Sequence, residues 1–164
     1  MSAVLVIARI LFAFIFLTSG LNHLAKLEAM TGYAKYKKLP AAKLSVALSG
    51  VIMILGALSV IFGYYVDLGA ILIIVFLVPA SLIFHNFWTL TDPAAKQNDM
   101  IQFFKNITAI GGALVIYGYV HFIATLYKDG GQLAAAVAPA KPYVDGVLQG
   151  FGWVISQGHL TLWK

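Results

Sequence analysis

Four long apolar runs, separated by shorter polar stretches, set the pattern of this chain. They extend from about Ala3 to Leu24, Leu44 to Phe62, Leu68 to Trp88, and Ile101 or Phe104 to Tyr127. Each is close to the roughly 20 residues that carry an α-helix across a bilayer core. Backbone polar groups in lipid must be satisfied within the segment, so runs of this length predict helices. The turn Gly63-Tyr64-Tyr65-Val66-Asp67 is short, which makes the second and third spans antiparallel neighbours. The link from Lys26 to Lys43 is longer. Leu24, Leu27, Met30 or Thr31, and Ala34 recur in it at helical spacing among lysines and tyrosines, predicting a short helix in the membrane interface. Pro40 breaks the chain before the second span. Pro79 predicts a kink in the third, and Asp92-Pro93 a turn or short helix in the polar loop from Thr89 to Met100.

The expected fold is an all-α membrane protein. Residues 1–127 form a four-transmembrane-helix bundle with a short interfacial helix after the first span. Residues 128–164 form an amphipathic C-terminal tail, interfacial or partner-docking. Val144 to Trp163 is apolar enough to touch the membrane surface, but its glycines and the nearby Pro142 argue against a fifth crossing. Arg9 lies within the first apolar run rather than before it, which favours a retained helix over a cleaved signal peptide.

Composition agrees with the pattern. The chain is 61% hydrophobic and 10% charged, with a mean hydropathy of +0.89. A soluble domain carries roughly 25% charged residues. Cysteine is absent, which removes disulfides, thiol redox catalysis and cysteine-ligated metal centres. Any redox role must therefore run through a bound ligand or a partner chain. The net charge of +5 comes largely from lysines in one inter-helix link, the signature of a cytoplasmic membrane face rather than of nucleic-acid binding. Loops one and three with their flanks hold Lys26, Lys35, Lys37, Lys38, Lys43, Lys96 and Lys105. The other side holds Lys128, Lys141 and Lys164, with Arg9 near its end of the first helix. This bias places the two long loops inside and both termini on the non-cytoplasmic side.

The polar residues within the spans carry the candidate chemistry, because ionisable groups in a bilayer normally face a protein interior, a cavity or a headgroup. Ser19, Asn22, His23 and Lys26 follow helical i, i+3, i+4, i+7 spacing, and Arg9 falls on nearly the same face. His23 ends the first span, His85 the third, and Lys105 and Asn106 open the fourth. Asn22, His23, His85, Asn86, Trp88, Lys105 and Asn106 thus gather at one depth as a candidate pocket for a quinone or lipid headgroup. Arg9 lies fourteen residues before His23, about 21 Å of helix rise away, and reads as a separate structural charge. Histidines and Asn106 offer hydrogen-bond donors, and Phe84, Phe87, Trp88 and Phe103 an aromatic slot. The bland alternative is that the lysines snorkel to lipid phosphates and the amides only bridge helices. A haem is disfavoured: His23 and His85 both sit at helix ends, with little bundle left to cover a porphyrin. No metal site and no self-sufficient catalytic set is visible.

These residues together resemble the DoxX family of small four-helix bacterial membrane proteins. The likeness rests on Arg9, Ser-Gly-Leu-Asn-His at 19–23, Pro40, Gly50 and Gly56. It continues through Phe-His-Asn-Phe-Trp at 84–88, Gln-Phe-Phe-Lys-Asn at 102–106 and Gly111-Gly112, and covers about residues 4–125. It implies a four-helix bundle in the bacterial inner membrane. Members named for thiosulfate:quinone oxidoreductase are membrane subunits of a quinone-linked enzyme. Others resemble scaffolds of complexes handling oxidative stress. Related redox proteins carry cysteine pairs that this chain lacks. The expected role is an accessory subunit or scaffold in a redox or bioenergetic membrane complex, contacting quinone or lipid, with other membrane subunits as partners. The alternatives are a quinone-reducing subunit and a small lipid-binding carrier.

Overall fold

Small residues decide how these helices approach one another. A computed structural model of the chain describes residues 3–128. These form α1 (Ala3–Ala25), α2 (Leu27–Tyr36), α3 (Ala42–Phe62), α4 (Val66–Phe84), a 3-10 turn (Phe87–Thr89) and α5 (Pro93–Lys128). Helices α1, α3, α4 and α5 are long and apolar enough to cross a membrane. Helix α2 is the short element expected after the first span. The tail beyond Lys128 lies outside the described residues.

α1 buries Arg9, Ala13, Phe16 and Gly20 as one stripe. The spacing alternates four and three residues, so one side of the helix faces inward throughout. That stripe lies on α3, and Gly20 meets Gly50 there: a Cβ on Gly20 would stand 2.8 Å from the Gly50 carbonyl oxygen. α3 meets α4 in the same way, with Gly56 against Gly69: a Cβ added to either would stand closer than van der Waals contact to the other's carbonyl oxygen (3.1 and 3.0 Å). Lipid chains are as apolar as leucine, so close backbone approach rather than hydrophobic burial holds such crossings. Around them Ala13, Phe16, Met53, Val60, Ile73, Leu77 and Ala113 draw all four long helices into one core. Phe12 closes the bundle by packing on Gly112 of α5.

The turn from α3 to α4 is built on Gly63, whose φ is +78°. The Ser59 hydroxyl donates to the carbonyls of Tyr64 (2.5 Å) and Tyr65 (2.7 Å) and ties the turn down. Arg9 lies against this turn: a Cβ on Gly63 would be 2.6 Å from its Nη1. Glycine is required here twice, by conformation and by the guanidinium. Arg9 is therefore a buried charge at the membrane face opposite the long loops, about 21 Å of helix rise from His23.

Two expectations change in detail. α4 runs through Pro79 and ends at Phe84, so the Phe-His-Asn-Phe-Trp segment is a C-cap and a 3-10 turn rather than the last turn of the span. α5 begins at Pro93, well before the expected Ile101. Asp92 is its N-cap, with Oδ2 accepting from the Ala95 amide at 2.7 Å, and Pro93 occupies the first helical position where its missing N–H costs nothing. The polar loop is thus mostly helix. At 36 residues α5 is about 54 Å long and outruns a bilayer core of about 30 Å. Residues 93–98 are exposed and project from the lysine-rich side.

A lateral cavity as candidate functional site

α3 and α4 touch at Gly56 and Gly69 and splay apart toward the lysine-rich side. Between them lies a cavity of about 430 Å³. α3 supplies Ser45, Val46, Ser49 and Ile52, and α4 supplies Phe76, Ala80, Ile83 and Phe84. Met30, Tyr33 and Ala34 of α2 cover its outer end, and His23 of α1 forms the back wall. Leu48 and Val75, each 54% exposed, stand with Pro79 at the rim facing the membrane. The cavity therefore opens sideways, between α3 and α4, into the hydrocarbon. The interfacial helix α2 is its lid at the headgroup level, held on α3 by Ala34, Ala42 and Val46.

Two histidines mark its polar ends. The His23 Nδ1 lies 2.9 Å from Ser49 Oγ, and Ser49 Oγ donates to the Val46 carbonyl at 2.8 Å. The ring also stands edge-on to Phe76, with centroids 6.1 Å apart. His85, the residue capping α4, lines the other end, and its Nδ1 is 3.5 Å from Asp99 Oδ1 of α5. That separation is an ion-pair distance, longer than a hydrogen bond. Lys37 and Lys105 act on the same imidazole electrostatically. Lys37 Nζ donates to Asn86 Oδ1 at 3.3 Å and lies 5.9 Å from the Tyr33 ring centre. Tyr33 in turn packs on Phe84. Burial, then the charge of Asp99, then Tyr36 push the Tyr33 phenol above its ordinary range. Farther out, Glu28 and Lys43 form an exposed ion pair at 2.5 Å that ties α2 to α3; the lysine's hydrogen bond and charge hold the Glu28 carboxyl below its ordinary range.

The cavity joins only part of the predicted set. His23 and His85 share it. Asn22 is exposed, one residue round the helix from the buried stripe. Asn86 bonds Lys37 beside the cavity. Trp88 joins Phe87, Phe103 and Phe104 in a separate aromatic cluster, in which Trp88 and Phe103 meet edge to face at 5.7 Å. Of the expected aromatic slot, only Phe84 lines the cavity. Lys105 bonds Gln102 one turn before it on the exposed side of α5, and Asn106 is buried on α5 away from the lining. Ser49, Tyr33, Phe76 and Asp99 are the additions. Ser49 is one small residue within an apolar span, and nothing in its spacing says that a histidine on another helix points at it. Among the described residues no cluster of metal-ligating side chains occurs.

The DoxX family model matches residues 4–86, half of the chain. The chain belongs to the DoxX family. Helices α1 to α4 and both cavity histidines up to His85 fall within that match, whereas α5 with Asp99 lies beyond it. Inner membrane protein YphA of Escherichia coli (strain K12) is 27% identical to this DoxX chain over 112 residues, covering 68% of the chain and 79% of the relative. No solved structure matches. The family and the four apolar helices make this DoxX protein a multi-pass protein of the cytoplasmic membrane.

Proposed function

We propose that this chain is an accessory subunit of a redox membrane complex, and that its lateral cavity holds the ring headgroup of a quinone-class lipid. One observation carries the reading: an apolar cavity that opens to hydrocarbon and is tipped by a histidine at either end. A quinone needs such a shape. Its isoprenoid tail stays in lipid, its ring slides between α3 and α4, and its two oxygens meet polar atoms at opposite ends. The dimensions suit it. The His23 ring touches Phe76, and His85 lies nine residues farther along, about 13 Å of helix rise. A ring bearing oxygens at opposite ends, with a hydrogen bond of about 2.8 Å at each, spans roughly 11 Å. Small apolar-lined clefts with a few converging polar groups are the usual form of ligand sites. The chain has no cysteine, so electrons reaching the site come through a bound ligand or a partner, and a partner supplies the route in this reading. That makes a subunit a better description than a self-contained enzyme.

The test is to purify the protein in mild detergent with native lipid and analyse extracted lipids and co-purifying chains. The expected result is quinone-class lipid near one per protein, reduced at least severalfold in a His23→Ala, His85→Ala double variant that still elutes as a folded species. Protein that carries none, and that shows no saturable binding of a short-chain quinone or quinol in nanodiscs, overturns the ligand assignment. Absence of any co-purifying or cross-linked membrane protein overturns the subunit assignment.

A further inference from the structure

Hydrogen-bond accounting at the two histidines goes further than the shape of the cavity. The Ser49 hydroxyl has one proton, and directed to the Val46 carbonyl at 2.8 Å it is unavailable to His23. Its oxygen can then only accept from His23 Nδ1, 2.9 Å away. His23 Nδ1 therefore carries the proton, and in the neutral ring Nε2 is left as a bare acceptor. His85 has a looser counterpart on another helix. Its Nδ1 faces Asp99 Oδ1 at 3.5 Å, an ion-pair approach rather than a hydrogen bond, and an acidic oxygen there favours the tautomer with its proton on Nδ1 and its lone pair on Nε2. The Ser45 hydroxyl is spent on the Pro40 carbonyl at 3.0 Å. Among the described residues, no amide or cationic side chain lines the cavity. Tyr33 contributes one hydroxyl at the rim. Both histidine ends thus present acceptors, and a quinone carbonyl, itself an acceptor, meets no proton at either of them.

We infer that the cavity selects the reduced, dihydroxy form of its ring ligand, with one ring hydroxyl donating to Nε2 of His23 and the other to Nε2 of His85. This inference rests on the quinone-class reading above and specifies its redox form. Ser49 and Asp99 are positioning residues: they touch no ligand and act by holding each imidazole in one tautomer. A hydroxyl donating to an imidazole gains a hydrogen bond, whereas a carbonyl placed there leaves two lone pairs opposed and the buried nitrogen unsatisfied.

The experiment compares decylubiquinol and decylubiquinone binding to the full chain in nanodiscs, without oxygen, at pH 8. That pH lies above the ordinary imidazole value of about 6.5, so that neutral rings are compared. The quinol should bind at least about tenfold tighter, the loss expected when two hydrogen bonds are unmade. In Ser49→Ala the His23 ring is free to carry its proton on either nitrogen, and the preference should narrow by about threefold or more, chiefly through tighter quinone binding. A second measurement needs no variant to fold. Nitrogen-15 spectra of labelled histidine, on the wild-type protein, should show His23 protonated at Nδ1 and unprotonated at Nε2. Equal binding of the two forms, tighter quinone binding, or a proton on Nε2 of His23 overturns the inference and leaves the quinone-class site standing. Binding of neither form overturns both.

Discussion

Gly20 and Gly50 meet where α1 crosses α3, and neither has room for another carbon. A Cβ on Gly20 would sit 2.8 Å from both a backbone oxygen and Ile54 Cγ1; one on Gly50 would sit 3.1 Å from the His23 Cβ. Backbone cannot step aside as a side-chain tip can, so the helices must separate. Gly20→Ala is expected to destabilise the bundle by about 1–3 kcal/mol despite alanine's better helix propensity. Gly111, with nothing within 4 Å, is the internal control: its alanine variant should unfold at the wild-type point or slightly above. Unfolding in mixed micelles, followed by circular dichroism, measures both. Tyr33 gives a residue-scale test of the lid. Its phenol is raised by burial first and by Asp99 second. A raised folded-state value means a stabilising contribution that is complete below the unfolded value of about 10 and is lost as pH climbs through the folded one. An ultraviolet titration should therefore show Tyr33, identified by its absence in Tyr33→Phe, ionising later than free tyrosine. Asp99→Asn should move it part of the way back. Ionisation no later than the free amino acid would contradict the packing of α2 over the cavity.

Among the elements, α5 departs most from the reading of the sequence, and its N-terminus shows why. The hydropathy of residues 93–100 is that of a loop, but Asp92 and Pro93 carry helix-start chemistry that outweighs it. Removing the cap in Asp92→Ala should cost about 1 kcal/mol and fray the first turn, seen as faster amide exchange over residues 93–97. Because the cap lies two turns before Asp99, the His85 pairing should loosen with it. The four spans themselves were legible, since length and apolarity leave a bilayer-crossing chain little choice. Depth was legible only coarsely: His23 and His85 line one cavity, but they stand at opposite ends of it rather than at one level. Rotation about each helix axis was not. Asn22 and His23 are adjacent in sequence and share a depth, yet a turn of about 100° sends one outward and the other to Ser49. That angle is set by which glycines meet, and the Gly20–Gly50 contact becomes visible only when two helices are placed together. Asp99 was hidden for a further reason, because it lies on a segment read as loop.

At the scale of the molecule, the two faces of the bundle differ. One face carries the end of α1, all of α2, the start of α3, the end of α4 and the start of α5; the other carries the α3–α4 turn with Arg9 folded onto it. Lys26, Lys35, Lys37, Lys38, Lys43, Lys96 and Lys105 belong to the first face, and among the described spans Arg9 lies at the other. Burial of Arg9 against Gly63 places its charge inside protein, not among lipid phosphates, which weakens the one intramembrane charge that opposes the bias. We therefore expect the cavity lid and the Asp99–His85 pair on the cytoplasmic side, and the α3–α4 turn outside. The cysteine-free sequence makes this directly measurable, because a single introduced thiol is the only one that reacts. Asp67→Cys, beside the α3–α4 turn, should be labelled by a membrane-impermeant maleimide in intact spheroplasts. Lys35→Cys, on the outer surface of α2, should be labelled only after lysis or in inside-out vesicles. The reverse pattern would turn the protein over and put the cavity lid on the non-cytoplasmic side, with every partner that docks against α2 drawn from that side instead.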